Sequence, residues 1–399
     1  MAPIELLLRP VKTIGEAHDM PESASSGRVV LKFVMGTALL GILLVVFLLT
    51  QPRQGPVTVS ELAIIPGRRE ALYVKLRPAK DSMGFPRFTN GSVRGFSWDP
   101  EGNVKRKRLC DIFTSGQRQL PTFVMTAPNG PYCFTTFNGG HEAMTSLWQL
   151  DPMTMQCCEL IQGAPDKRLF CFDRYNILDG RLAAISIDIA PDSSDQSKHV
   201  LVSVGTAETE LAPDGVRHVR DGMFLLKDRQ MVWAGVDIER PNAPGVLCQD
   251  GRAIADGVVK LLGITADARR VFFSRQNLAQ VGSAPALWSY DVATGELRML
   301  VDWVGDQFKA GIASGNIGFL ETEGQSQKDG LPGTTKMVVG ARVFSISGEL
   351  LERVVLPKPT SLRVSAWDVD LMEMVYYDST SREIVIQRLG GEVIASFTP

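Results

Sequence analysis

From Phe33 to Thr50 the chain reads FVMGTALLGILLVVFLLT, eighteen residues without a charge, and Val29 to Leu31 extend the run past Lys32. At 1.5 Å per residue those eighteen cover about 27 Å, close to the roughly 30 Å of a bilayer's hydrocarbon layer. A buried helix of a globular core would show a polar stripe at a 3.6-residue period, and none is present. The run ends in FLLTQPRQG, which lacks the small residues of a signal-peptide cleavage site. The pattern predicts one uncleaved transmembrane helix over 29–50, with Lys32 snorkelling to the headgroups. A flexible tail (1–28) precedes it and a Pro- and Gly-containing stalk (51–68) follows. Arg28 and Lys32 lie before the span and Arg53 after it, and the positive-inside rule then favours an inside N-terminus. The expected location is a membrane, crossed once, with the body outside the cytoplasm.

The texture changes after the stalk. Short runs of Val, Ile, Phe, Thr and Tyr alternate with Gly, Asp, Asn and Pro turns, and no long helical period interrupts them. The expected fold class is all-β, over 69–399. One unit is sharply defined: LLGITADARRVFFSRQ, a loop, then ALWSYDVATGELRML. It predicts strands over 261–266, 270–275 and 286–291 and a last one to 300, with turns at Asp267 and at Thr294-Gly295. Four such antiparallel strands make one blade of a β-propeller. The same order recurs from Thr122, from Ala310 and from Leu362, and its second half from Ser92. The final turns fall at Gly102, Met155, Gly295, Gly348 and Gly391, which fits a repeat of about 48 residues with room for two more units after Met155. Candidates for those two lie near 181–205 and 223–251. The expectation is seven four-stranded blades.

The strongest unit resembles the repeat of the TolB-like and WD40-like β-propellers, in which a tight turn precedes an apolar strand and W-x-x-D-x-x-T-G-E closes the blade. Here Trp288, Asp291, Thr294, Gly295 and Glu296 carry that form, and Trp148 with Asp151 carries part of it. The resemblance implies architecture and assigns no functional residue.

Composition narrows the function classes. With 44% apolar and 22% charged residues and 6 Cys in 399, neither disorder nor a disulfide-stapled scaffold fits. A net charge of −2 argues against nucleic acid as the partner. Cys110, Cys133, Cys157, Cys158 and Cys171 are grouped and Cys248 stands apart; no obligatory disulfide is expected. The four His (18, 141, 199, 218) show no metal-ligand spacing, so neither a metal nor a cofactor is expected. No G-x-S-x-G elbow occurs, and GIASGN at Gly311 reads as a strand turn.

The one acid–base pair that stands out is His141-Glu142, in the loop between the second and third strands of its blade, where a His beside a carboxylate can act as a general base near neutral pH. Asp237 and Arg240, and Lys328 and Lys336 in the long insertion 325–340, are the candidate ligand-binding residues on the same face. Trp98, Trp148 and Trp288 recur at equivalent third-strand positions and read as packing between blades. Lys105-Arg106-Lys107-Arg108 reads as charge protection of an outer edge. The leading expectation is a membrane-anchored binding or scaffold module for a protein partner. The alternatives are a propeller enzyme, hydrolase or lyase, with its site at the central mouth, and an envelope carbohydrate-binding protein.

Overall fold

Segments such as ALYVKL and RVFFSR are apolar on both faces of a pleated strand and can be satisfied only between two neighbouring sheets. In the computed structural model they are so placed: Ala71, Leu72, Tyr73 and Val74 are at most 2% exposed, and Val271, Phe272 and Phe273 are fully buried. The structure describes residues 57–80, 86–112, 124–125, 132–138, 144–151, 156–161, 167–171, 177–178, 181–188, 196–203, 209–211, 217–237, 243–280, 283–326 and 334–399. The chain divides after Pro52, and all of these residues fall in the unit Arg53–Pro399. The expected tail and transmembrane helix lie outside the described residues, among which no helix is long and apolar enough to cross a membrane.

Two short 3-10 turns apart, Lys227–Arg229 and Leu362–Val364, the regular structure described is β. The first sheet holds β1 (Thr58–Ile64), β2 (Glu70–Lys80), β3 (Pro86–Trp98) and β4 (Val104–Ile112). The second holds β5 (Val124–Met125), β6 (Tyr132–Asn138), β7 (Met144–Asp151) and β8 (Gln156–Ile161). In the third, β9 (Lys167–Cys171) and β10 (Ile177–Leu178) both pair with β11 (Arg181–Asp188), followed by β12 (Gln196–Ser203) and β13 (Thr209–Leu211). The fourth has seven strands in chain order: β14 (Arg217–Leu225), β15 (Met231–Asp237), β16 (Gly245–Gln249), β17 (Arg252–Ile264), β18 (Arg270–Arg275), β19 (Ala286–Asp291) and β20 (Leu297–Val301). The fifth is β21 (Asp306–Ala310), β22 (Ile317–Ser326), β23 (Thr334–Phe344) and β24 (Leu350–Ser361). The sixth is β25 (Ser365–Asp368), β26 (Glu373–Asp378), β27 (Glu383–Arg388) and β28 (Val393–Phe397). All pairings are antiparallel between neighbours in the chain, apart from β9 reaching β11.

Where exposure is described, β18 and β26 are largely buried, β24 is mostly exposed, and β20 and β28 have no fully buried residue. Sheets therefore stack face to face through their inner strands. The fourth sheet packs its β14–β16 part on its β17–β19 part around Leu261 and Phe273. Phe308, Ile317 and Phe319 join that sheet to the fifth, and Trp367 and Met374 join the fifth to the sixth. Ala366, Val375 and Ile386 of the sixth then close on Tyr73, Phe96 and Trp98 of the first. This succession, with the last sheet back against the first, is a propeller-like all-β body. Each large side chain so buried stabilises it by roughly 1.5–3 kcal/mol.

Three details correct the expected organisation. The segment 51–68 contains β1, TVSELAI, which pairs with β2. The insertion 325–340 is largely strand: β22 runs to Ser326, and β23 starts at Thr334 with polar residues that pair out to Ser326↔Thr334. The strand expected over 261–266 is only the second half of β17, which pairs with β16 from Arg252 and with β18 from Val258 onward. The change of partner falls at Gly257, with φ +70°, a left-handed backbone that glycine tolerates without strain.

Candidate functional site

An antiparallel meander puts its first and last turns at one end and its middle connection at the other. In three sheets the first turns are bonded to one another. The turn after β25 carries Asp368 and Asp370. Asp368 accepts from Gly67 N–H, in the turn between β1 and β2, at 2.8 Å, and from Asp370 and Leu371 N–H at 2.9 Å each. Asp370 reaches the other way, to the GIASGN turn between β21 and β22, accepting from the N–H groups of Ile312 (2.6 Å), Ala313 (3.0 Å) and Ser314 (3.0 Å) and from the Ser314 hydroxyl. One turn of the last sheet thereby clamps the turns on both sides of it.

Beside the clamp, Glu373 at the start of β26 is 1% exposed. It accepts two bonds from Arg69 Nε (3.0 and 3.2 Å), one from Arg69 Nη2 (2.9 Å) and one from Trp98 Nε1 (2.8 Å). A buried carboxylate is tolerable only when saturated in this way. The first and sixth sheets share no strand, and these side chains join the Gly67–Asp368 bond and the apolar cluster beneath in holding their seam.

The two aspartates of the clamp shift in opposite directions. Burial pushes the Asp368 carboxyl up, against the pull of the Gly67 and Leu371 N–H groups, and the neighbouring Asp370 charge adds to the rise. At Asp370 burial also acts upward, but the Ser314 hydroxyl and the three turn N–H groups outweigh it and hold the carboxyl low. A lowered carboxyl contributes stability that is complete above its unfolded value, near 4, and is lost as pH falls through the folded value. Asp368 has the opposite sign: its contribution declines as pH rises. Asp370→Asn is therefore expected to cost about 1–3 kcal/mol at pH 7, where its donors lose a charged acceptor. That difference should shrink when urea unfolding is repeated near pH 3; a constant difference would remove Asp370's charge from the account.

The sequence candidates have other places in the chain order. His141 and Glu142 fall in the connection between β6 and β7, Arg240 in that between β15 and β16, and Lys328 in that between β22 and β23; all four lie outside the described residues. Asp237 is the last residue of β15. Each of these is a link between the second and third strands of its sheet. Lys336 lies on β23, where its Nζ is 3.0 Å from both carboxylate oxygens of Asp306. Burial raises the Asp306 carboxyl less than the Thr322 hydroxyl (2.6 Å) and Lys336 lower it, so it is held low. Among the described residues no group of His, Cys, Asp and Glu has the arrangement of a metal site.

Trp98 is buried between the first and sixth sheets, and Trp288, half-buried, packs against the core of the fourth sheet with the Arg275 guanidinium 4.7 Å over its ring; the side chain of Trp148 lies outside the described residues. Lys105 to Arg108 are exposed along β4, the outermost strand, with Arg106 over the Phe397 ring and on the Thr398 carbonyl. Sequence reasoning passed over Asp368, Asp370 and Glu373. The visible signal was D-x-D, three residues before a glutamate at a strand start, which reads as ordinary turn chemistry until the neighbouring turns are in view.

No protein-family model matches the chain, and no curated protein matches it. Solved structures do. A prolyl endopeptidase matches at 10% identity and TM-score 0.48, over 85% of this chain and 48% of its own. The Pyrococcus horikoshii acylaminoacyl peptidase matches at 11% identity and TM-score 0.46, over 84% of this chain and 52% of its own. The β-propeller domain of the Trilobed protease from Pyrococcus furiosus matches at 12% identity and TM-score 0.42, over 85% of this chain and 97% of its own. The chain thus spans about half the length of the two peptidases, and at these identities the likeness concerns the fold. Several of these structures are peptidases, which runs with the stated alternative, a propeller hydrolase, and against the binding or scaffold module expected from the sequence; the likeness itself extends to the fold alone.

Proposed function

We propose that the chain is a membrane-anchored hydrolase built on a ring of seven four-stranded blades, with its chemistry at the end where second and third strands connect. The seven-stranded sheet counts as two blades that share β17, divided at Gly257; the other five sheets supply one each. The observation that carries the reading is topological. His141 with Glu142, Asp237 with Arg240, and Lys328 fall on the same kind of connection in three separate sheets, with Lys336 on the strand beside the last. The bonds among the first turns of the first, fifth and sixth sheets support a common orientation of the blades, which brings such connections to one face.

In this reading His141, oriented by Glu142, takes a proton from the attacking water. Arg240, Lys328 and Lys336 hold the anionic part of the substrate or the oxyanion as it forms. The anchor over 29–50 keeps that face outside the cytoplasm. Purified full-length chain in detergent, assayed against fluorogenic peptide amides and esters, is expected to turn over at least one class. His141→Ala should lower kcat by about 100-fold or more with an unchanged unfolding midpoint. Absence of hydrolysis, or undiminished hydrolysis by the His141→Ala chain, would refute the assignment.

A further inference from the structure

Asp306 opens β21, and an irregularity of the strand aims it. From Asp306 to Lys309 β21 takes three steps while β22 takes two, from Leu320 to Gly318, a bulge of the kind that re-aims a side chain. Inside it Gln307 has φ +47°, a left-handed backbone that is costly for a residue with a Cβ. The sixth sheet holds this conformation in place. Gln307 Nε2 donates to the carbonyls of Ser365 (2.9 Å) and Leu362 (3.3 Å), and Trp367 Nε1 donates to the Gln307 carbonyl (2.9 Å). Strain that is over-determined by its surroundings in this way collects at functional sites.

The bulge presents a carboxylate with one fixed and one exchangeable partner. Thr322, on the part of β22 that runs past the start of β21, donates its hydroxyl to Asp306 Oδ2 at 2.6 Å. Lys336, on the matching extension of β23, sets its ammonium 3.0 Å from both carboxylate oxygens, on a side chain 56% exposed against 28% for Asp306. An ion pair so open to water adds little to stability, so stability gives no reason to keep strain at Gln307 for its sake. A second primary ammonium fits the place of the Lys336 nitrogen atom for atom, and needs only to displace a flexible side chain. The place is also an accessible one. Phe308 of β21 lies against Gly263 of β17, and Gln307 reaches the start of β25, so β21 stands between the first strands of its two neighbours, which border the centre of a propeller.

We propose that Asp306 is a subsite for a primary ammonium group of the substrate, which takes the position that the Lys336 ammonium holds in the free protein. The ammonium belongs to the amino end of a peptide or to a lysine side chain. The displaced Lys336 turns to the anionic part of the substrate already assigned to it. Only the naming of the ligand as substrate rests on the hydrolase reading.

Fluorescence anisotropy with the full-length His141→Ala chain in detergent reads binding without turnover, and so separates this subsite from the catalytic assignment. The probes are tetra-alanine carrying fluorescein at its carboxy end, the same peptide acetylated at its amino end, and the acetylated peptide with one alanine replaced by lysine. At least one ammonium-bearing probe should bind about 10-fold or more tighter than the blocked one, and which of them does so identifies the source of the ammonium. Asp306→Asn, which keeps the shape and an acceptor for Thr322, should abolish that difference. Lys336→Met should act in the opposite direction, tightening the ammonium probes by about 2- to 5-fold because the internal competitor is gone, and leaving the blocked probe unchanged. A purely structural ion pair would not give tighter binding when broken. Equal binding of all three probes, a preference that survives Asp306→Asn, or unchanged or weaker binding by the Lys336→Met chain would overturn the proposal.

Discussion

Replacing Glu373 with alanine is expected to lower the free energy of unfolding by about 3–5 kcal/mol, the range for removing one partner of a buried ion pair. The size follows from what stays behind. Arg69 loses three charge-assisted bonds and Trp98 Nε1 loses the carboxylate it donates to, in a seam where Glu373 itself is 1% exposed. Arg69 is 33% exposed at its side chain and recovers some water, which favours the lower part of that range. Glu373→Gln keeps an oxygen for Trp98 and surrenders the guanidinium fork, so about 1.5–3 kcal/mol should be lost. Denaturant unfolding followed by tryptophan fluorescence measures both. A cost under 1 kcal/mol for the alanine variant would mean that the apolar cluster alone closes the seam.

That seam could not be read from the chain, because Arg69 and Glu373 are about 300 positions apart and each looks like an ordinary charged residue before or within a strand. What sequence does carry is local. The strands expected over 270–275 and 286–291 coincide with β18 and β19, since RVFFSR and ALWSYD have apolar residues on both faces and tight turns nearby. The degenerate stretch from about 181 to 251 was legible as strands without a unit boundary. The long strand β17 pairs with β16 over its first part and with β18 over the rest, so the seven strands run on without the gap that a repeat search relies on. The polar ends of β22 and β23 were unreadable for another reason: their residues pair with each other beyond the body of the sheet, where no apolar alternation is required. The candidate site shares this limit. The connections that hold His141, Arg240 and Lys328 were located by counting strands, whereas the clamp of Asp368 and Asp370 depends on turns from two other sheets.

The recurring final-turn glycines lead to the last prediction, because they separate two reasons for glycine. Gly102, Gly295 and Gly348 have φ of +88°, +73° and +94°, so alanine at any of them costs roughly 1–2 kcal/mol from the left-handed backbone alone. At Gly295 a Cβ would meet nothing within 4 Å, and that cost should be the whole effect. At Gly102 it would lie well inside contact distance of the Ile394 carbonyl, on the last strand of the sixth sheet, and at Gly348 it would strike the Leu300 carbonyl on β20. Backbone cannot swing aside as a side chain can, so forcing the sheets apart adds about 1–3 kcal/mol of the kind seen on overpacking. Gly102→Ala and Gly348→Ala are thus each expected to cost about 2–5 kcal/mol, against about 1–2 for Gly295→Ala. Gly102→Ala acts on the same seam as Glu373→Ala, so the two losses combined should depart from additivity. Gly348→Ala lies at the junction of the fourth and fifth sheets and should add to either of them. Equal costs at Gly102 and Gly295 would show that backbone conformation, rather than the close approach of neighbouring sheets, selects glycine in these turns.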